Sequence, residues 1–179
     1  MRFIRAIALA ACLLAPLQAL GQASPIQDLL QEHGEVIAKS SRKTIQPAID
    51  ALRDSGLPQA QTVMERWQEK ELWLREDDGA FFFVEMDGDT YTLLDIGTGE
   101  PVGTAGKSEL KQLKPNSGIR GLIGAALVQF QLQDPNPASR RAALDAIARD
   151  PEASHLEALR GAIETEQNPE IRAAKERME

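Results

Sequence analysis

The sequence predicts an α+β fold that is mainly α: a short helical hairpin, a small β-meander, and then HEAT-like α-solenoid helices. Three observations predict it. Apolar residues recur at helical spacing from residue 25 to about 70. Short β-favouring runs separated by Asp-Gly turns occupy residues 71–106, and helical spacing returns from residue 116. We therefore divide the chain after its first segment into a helical region (24–70), a β-meander with a turn-rich exit (71–114) and helical repeats (115–179).

The composition is that of a folded, acidic chain. Its 179 residues are 42% hydrophobic and 26% charged, with 20 Lys+Arg against 27 Asp+Glu and a net charge of −7. A mean hydropathy of −0.30 excludes a polytopic membrane protein within these residues. The acidic balance argues against nucleic acid as a partner, since phosphate contacts need clustered Lys/Arg. One cysteine and two histidines exclude a disulfide framework and most zinc sites.

The first 23 residues have the three parts of a secretory signal peptide. Arg2 and Arg5 supply the positive start, residues 6–17 the apolar stretch, and residues 21–23 (Gly-Gln-Ala) the small-x-small cleavage pattern. We expect cleavage before Ser24, export from the cytoplasm, and a mature chain with 18 basic and 27 acidic residues, a net charge of −9.

Two alternatives to cleavage remain open. One is an uncleaved anchor. The other is a lipoprotein, because residues 9–12 (Leu-Ala-Ala-Cys) resemble a lipobox in which Cys12 would be acylated. The apolar run continues beyond Cys12, where a lipoprotein would have a polar tether.

Two apolar stripes predict the helical hairpin. Ile45, Ile49 and Leu52 recur at helical spacing, and so do the side chains at positions 63, 64 and 67. Between the stripes, Gly56 suits a helix C-terminus and Pro58 the first turn of the next helix. An earlier helix is predicted from Ile26, Leu29, Leu30 and Ile37, with Gly34 weakening it.

Runs of β-favouring residues predict the meander. They lie at residues 72–74, 81–84 and 91–94, and Asp-Gly pairs at 78–79 and 87–88 favour tight turns between them. Six of the eight aromatic residues lie between Trp67 and Tyr91. We interpret them as packing in a thin core, and the alternative is an exposed aromatic platform for a ligand. Residues 97–108 are predicted to form a turn-rich exit.

An internal repeat predicts the helical array. Residues 136–143 (Asn-Pro-Ala-Ser-Arg-Arg-Ala-Ala) are echoed by residues 168–174 (Asn-Pro-Glu-Ile-Arg-Ala-Ala), with the Asn-Pro pairs 32 residues apart and the Arg-Ala-Ala triplets 31 apart. Proline starts each helix, and each arginine either caps a turn or pairs with a carboxylate. Leu156, Leu159 and Ile163 form an apolar stripe between the copies. A period near 30 is typical of a HEAT-like α-solenoid, and we expect the array to be cut short at Glu179.

No motif predicts catalytic, cofactor-binding or metal-ligating residues, and we expect no enzyme activity. Gly106-Lys107-Ser108 lacks the earlier glycine of a phosphate-binding loop, since position 101 is proline. Asp87-Gly88-Asp89 lacks the spacing of a calcium loop. His33 and His155 lie far apart in the sequence, each beside acidic residues on a predicted helix, and the carboxylates Asp77 and Asp78 sit in a turn.

Several segments occur in an order that resembles a known family. They are residues 45–56, 67–74, 95–102, 113–123 and 134–140. This order resembles the long N-terminal extracytoplasmic extension of bacterial urea ABC transporter permeases, the B-type subunit of the branched-chain amino acid permease-like family. The usual Asn-Asn-Arg element of that family reads Asn116-Ser117-Gly118 here, with Arg120 kept, and the transmembrane permease is missing from this sequence.

The resemblance implies a non-catalytic extracytoplasmic domain of an ABC-type urea uptake permease. Its expected role is assembly or docking, on the periplasmic side of the inner membrane. Its partners would be other transporter subunits or the urea-binding protein, and it would need no cofactor. The alternative is a free-standing secreted or lipid-anchored HEAT-like scaffold that binds another protein.

Overall fold

The computed structural model describes residues 24–149, 151, 153 and 155–179, and the predicted signal peptide with Cys12 lies outside them. The helices are α1 (Pro25–Glu32), α2 (Gly34–Ala38), α3 (Gln46–Asp54), α4 (Ala60–Gln68), α5 (Ser117–Leu132), α6 (Pro137–Arg149), α7 (His155–Thr165) and α8 (Pro169–Glu176). The strands are β1 (Leu72–Arg75), β2 (Phe81–Asp87), β3 (Thr90–Asp95), β4 (Pro101–Ala105) and β5 (Leu110–Gln112). The α+β, mainly α prediction is confirmed.

The predicted helical hairpin is formed by α3 and α4. Ile49 and Leu52 of α3 and Val63 and Trp67 of α4 are buried, so both predicted stripes face the core. Gly56 follows α3 with φ of +67°, a left-handed conformation that glycine adopts without steric cost. The single earlier helix predicted from residues 26–37 is instead two helices, α1 and α2, which meet at the half-buried His33.

The five strands form one antiparallel sheet in the order β4-β3-β2-β1-β5. The Asp-Gly pairs form the predicted turns. Asp87 pairs with Thr90 across a two-residue loop, in which Gly88 has φ of +59°. Gly79, with φ of +70°, closes the turn between β1 and β2. Both glycines provide the left-handed conformation that these tight connections need.

The region predicted as a turn-rich exit contains strand β4 and a short 3₁₀ helix, Lys107–Glu109, so that prediction missed a strand. Strand β4 is an exposed edge, with a bulge at Val102 and proline at its first residue. Proline and bulges are tolerated at sheet edges, and an exposed edge strand needs no apolar alternation. The sequence therefore lacks a strand pattern there. The chain then returns through β5 to pair with β1.

The aromatic side chains of the sheet divide between its two faces. Phe81 and Phe83 face the helices with Trp67, while Trp73, Phe82 and Tyr91 pack on the opposite face. The Trp73 and Tyr91 rings meet edge to face with centroids 5.8 Å apart. All six rings are buried, each with at most 8% of its surface exposed. They pack as core residues rather than forming an exposed platform.

Helix α5 connects the two halves of the molecule. Ile119 and Ile123 belong to the core that α1–α4 share with the sheet, whereas Leu132 at the other end belongs to a second core among α6, α7 and α8. Asn116 caps its start, with Oδ1 accepting from the Ile119 N–H at 3.0 Å. Within the described residues, no helix is both long and apolar enough to cross a membrane.

Candidate docking surface and its buried ion network

The C-terminal helices form two pairs that repeat the same local structure. Each second helix begins at an Asn-Pro pair: Asn136 Oδ1 accepts from the Ala138 N–H at 2.9 Å, and Asn168 Oδ1 accepts from the Glu170 N–H at 3.0 Å. Asparagine suits this position because its side chain satisfies a backbone donor that the first helical turn leaves unpaired. The asparagine at each Asn-Pro pair thus marks the start of α6 and of α8.

The arginine four residues after each of these asparagines also has the same role in both pairs. Arg140 Nη1 donates to the Asp134 carbonyl at 2.7 Å, six residues back, and Arg172 donates to the Glu166 carbonyl, also six residues back. The equivalent arginines are therefore 32 residues apart, like the Asn-Pro pairs. The 31-residue spacing of the Arg-Ala-Ala triplets paired Arg172 with Arg141, which has a different role.

The acidic residue before each Asn-Pro pair completes the correspondence. Asp134 Oδ1 accepts from the Asn136 N–H at 2.7 Å, and Glu166 Oε1 accepts from the Asn168 N–H at 2.9 Å. We call the α5–α6 helices the first pair and the α7–α8 helices the second pair. Since α5 packs against α7 and α6 against α8, the two pairs lie side by side in two layers.

A buried ion network joins the two pairs. Arg140, on the first pair, donates through Nε and Nη2 to both carboxylate oxygens of Glu166, at 2.9 and 2.8 Å. Lys175 Nζ, on α8, donates to Glu166 Oε2 at 2.8 Å. The Glu166 and Lys175 side chains are each only 1% exposed. The network thus links α6, the α7–α8 loop and α8.

Lys175 also joins the C-terminal ends of α5 and α7, the two helices of the first layer. Its other hydrogen bonds run to the Leu132 carbonyl at 2.9 Å and the Ala162 carbonyl at 3.1 Å, in the last turns of α5 and α7. A lysine ammonium is favourable at helix C-termini, where carbonyls lack intrahelical donors. With Glu166 as its third acceptor, all three donors of this buried ammonium are satisfied.

The environment of Glu166 keeps its carboxylate charged. Burial alone would raise its pKa, but the hydrogen bonds from Arg140 and Lys175, and from the Asn168 N–H, outweigh burial and lower the pKa to about 2. Such a group stays ionised near neutral pH and is poorly matched to general acid or base catalysis there. The network is therefore suited to fixing the arrangement of the pairs.

An open cavity of about 450 Å³ lies beside the network. It is lined by Gln133, Asp134, Pro135, Arg140, Thr165, Glu166, Gln167 and Lys175. Of its four charged lining residues, Arg140 and Lys175 both bind Glu166, and the Asp134 carboxylate accepts from the Asn136 N–H. The lining is polar and comes from the two inter-helix loops and the network, so it lacks the apolar enclosure of a typical small-molecule site.

Helices α6 and α8 form the second layer, which presents an exposed surface of small and charged side chains. On α6, Ala142, Asp145 and Ala146 are exposed, and Arg141 forms an exposed ion pair with Glu170 of α8. Such a pair contributes little to stability. We call the exposed face of α6 and α8 the second-layer surface.

The candidate motifs of the sequence lie apart from the network. His33 lies between α1 and α2, and His155 begins α7. Asp78 binds Arg75 in the turn after β1, where Arg75 lowers the pKa of this carboxyl by a hydrogen bond. The Gly106 N–H donates to the Glu109 carboxylate, so this amide is already hydrogen-bonded within the chain and is not open to a phosphate. Within the described ranges, no three His, Cys, Asp or Glu side chains are grouped to hold a metal ion.

The apolar stripe predicted for α7 is only partly correct. Leu159 is buried, but Leu156 and Ile163 are half-exposed, and the helix buries Ala158 and Ala162 beside Leu159. Small residues face inward because α5 and α7 lie close together. The buried Glu166 and Lys175 were not predicted at all, since charged residues near the end of a sequence are ordinarily solvated.

Comparison of the chain with protein-family models, with curated proteins and with solved structures found no match.

Proposed function

We propose that this chain is a non-catalytic docking domain of an ABC-type urea uptake permease, on the extracytoplasmic side of the membrane. The observation that carries the docking role is the side-by-side stacking of the two helical pairs, fixed by Arg140, Glu166 and Lys175. Stacked helical pairs form extended surfaces whose shape suits protein partners.

The chemistry of the network favours docking over catalysis. The carboxylate of Glu166 is held charged by two cations, and the cavity beside it is open and polar. A general base or acid would need a pKa near the working pH and a free path to substrate. Fixed geometry is instead what a binding surface requires, because a preorganised surface loses little conformational freedom on binding.

The transporter setting is supported by the sequence. Five segments within residues 45–140 resemble the extracytoplasmic extension of B-type urea permeases, and residues 1–23 have the pattern of an export signal. Likeness at the level of architecture supplies no function by itself, so the setting depends on this resemblance. Partners within the proposal are the other transporter subunits or the urea-binding protein.

A cell-based assay tests the proposal with matched variants. The chain would be expressed with the permease, ATPase and binding-protein subunits of a urea transporter, and urea uptake and co-isolation of the subunits would be measured. Ala142→Arg places a long charged side chain on the second-layer surface, at an exposed position of α6. We expect it to lower both readouts several-fold. Val102→Arg, at an exposed site on β4, is the control and should leave both unchanged.

The outcomes separate the alternatives. Loss with Val102→Arg but not with Ala142→Arg would place docking on the sheet edge and contradict the role of the helical pairs. If the parent chain and both variants all gave normal urea uptake, and none of them co-isolated with the transporter subunits, the transporter setting would be contradicted. In that case an Ala142-sensitive complex with another exported protein would identify the free-standing scaffold.

A further inference from the structure

Two stretches of this acidic chain carry basic residues and no acidic ones. Residues 36–49, which include the loop between α2 and α3, contain no Asp or Glu, and neither do residues 110–133, which include β5 and most of α5. The chain as a whole has a net charge of −7, so its positive charges are locally segregated. Four exposed cations of the two stretches are Arg42, Lys43, Lys111 and Lys114.

Side-chain contacts bring the two stretches together. Lys111 Nζ donates to the Ala38 carbonyl at 2.9 Å, at the end of α2. Arg42 lies against the start of α5, because a Cβ added at Gly118 would be 2.9 Å from Arg42 Cδ. The loop after α2 therefore lies along the segment that runs from β5 through Lys114 into α5. We call the surface formed by the four cations the basic face.

The backbone beneath the basic face is fixed by the first core. Ile45 has no exposed surface, Leu113 is 4% exposed, and Pro115 is buried. Buried residues thus follow the cations of both stretches and hold the cationic side chains toward solvent. Within the described residues, none of the four cations forms an ion pair.

The negative charge elsewhere on the chain leaves the basic face available to an anion. Of the acidic residues that flank the two stretches, Asp50 binds Arg53 at 2.8 Å, and Glu109 accepts from the Gly106 N–H. More distant carboxylates are screened at physiological salt over about 8 Å. The start of the 16-residue helix α5 lies against Arg42 and adds the positive end of a helix dipole.

We propose that the basic face binds the anionic headgroups of a phospholipid bilayer. The proposal rests on the extracytoplasmic setting given above and adds the membrane surface beside the domain as a partner. Charge complementarity supports it, since each Lys or Arg near an anionic bilayer raises the membrane partition coefficient about fivefold. Four such cations on one fixed surface orient the domain on the bilayer.

The composition of the basic face favours lipid headgroups over a protein partner. A protein interface has an apolar centre with anchoring side chains. The exposed loop residues 42–44 are instead Arg-Lys-Thr, and the cations of the other stretch are two lysines. Long cationic side chains adapt to laterally mobile headgroups, which require no fixed geometry.

Vesicle binding tests the proposal with charge-matched variants of the mature chain that begins at Ser24. Co-sedimentation is measured at low ionic strength with vesicles of phosphatidylcholine alone or mixed with an equal part of phosphatidylglycerol. We expect the parent chain to prefer the mixed vesicles. Replacing Arg42, Lys43 and Lys114 together by glutamine should lower its partition coefficient on the order of a hundredfold. Lys111 is kept because it also hydrogen-bonds the α2 end.

A second variant and a salt series are the controls. Replacing Arg149, Arg160 and Arg177 by glutamine removes the same charge from exposed positions on the helical pairs and should leave binding unchanged. Circular dichroism checks that both variants are folded. Raising the salt to about 0.5 M should release the parent chain from the mixed vesicles, since screening then acts over about 4 Å.

Four results would overturn the proposal. These are no binding of the parent chain to the mixed vesicles, equal binding to both vesicle types, equal loss with the two variants, and binding that salt does not weaken. Unchanged vesicle binding by the basic-face variant, together with lost co-isolation of transporter subunits, would identify an acidic protein as the occupant instead. Because the vesicles contain no transporter, failure here is distinct from failure of the urea-uptake assay.

Discussion

The two cores of this molecule are stabilised in different ways. The core between α1–α4, the sheet and the first half of α5 contains large side chains, among them Trp67, Phe81 and Phe83. The core among α5–α8 is formed by Leu132, Ala143, Leu144, Ile147, Ala158, Leu159, Ala162 and Ile171. Three of those eight are alanine, so the side chains of this core are smaller on average. The second core has instead a buried ion network at its edge.

The difference between the two cores indicates how the helices α5–α8 keep a single relative position despite their small core. Small inward-facing residues let helices approach, but they specify their relative position weakly because many shifted packings bury similar area. A buried ion pair adds little net stability over apolar packing, yet is costly to break. Glu166 accepts hydrogen bonds from Arg140, Lys175 and the Asn168 N–H, so a shift of one helical pair past the other would break the bond to Arg140.

The largest effect is expected from truncation in the first core. Trp67 has no exposed surface, so Trp67→Ala should lower the free energy of unfolding by about 4 kcal/mol, from lost burial and the cavity left behind. Leu159→Ala, in the second core, should cost about 2–3 kcal/mol, because an isobutyl group is a smaller loss than an indole ring. Urea denaturation followed by circular dichroism measures both. Equal costs would contradict the larger cavity expected in the first core.

The ion network should show the next largest effect. Glu166→Gln removes the charge that compensates Arg140 and Lys175, and we expect it to cost about 3 kcal/mol in the same denaturation assay. Glu170→Gln is the matched control, since Glu170 forms an exposed ion pair with Arg141. That control should cost at most about 1 kcal/mol. If the network did not stabilise the fold, Glu166→Gln and Glu170→Gln would have the same free energy of unfolding.

Acid should weaken the second core through Glu166. Its folded-state pKa of about 2 lies below the ordinary value of 4.5, so its contribution is complete above pH 4.5 and is lost as pH falls toward 2. We expect this group to account for roughly 2–3 kcal/mol over that range. Asp54 and Asp78, whose pKa values are lowered by hydrogen bonds from Arg53 and Arg75, titrate equally in parent and variant. The difference between the parent chain and Glu166→Gln should therefore shrink as pH falls from 5 to 2, and a constant difference would contradict it.

The local patterns of the sequence predicted most of the elements. Stripes such as Ile49 with Leu52 predict helices because their period matches one helix face, and Asp-Gly at 87–88 predicts a hairpin because glycine tolerates left-handed backbone. Strand β4 was missed because an exposed edge imposes no apolar pattern. Strand β5 has only three residues, which is too short for a period to be recognised.

The candidate site was only half visible in the sequence. The Asn-Pro pairs and their arginines signalled the repeat, since capping and helix starts depend on neighbouring residues. The burial of Glu166 and Lys175 depends on contacts to Arg140, 26 residues away, and to Leu132, 43 residues away. No local pattern encodes such contacts. The one usable signal was an acidic residue two positions before both Asn136 and Asn168, with arginine four positions after each.

Native-state hydrogen exchange of the Glu166→Gln chain tests the central claim most directly, because it reports stability separately for each region. The claim is that Arg140, Glu166 and Lys175 fix the two helical pairs against each other. We predict that amides of α6–α8 lose about 3 kcal/mol of opening free energy while amides of β1–β3 keep theirs. Exchange that changes equally in both regions, or only in the sheet, would contradict it.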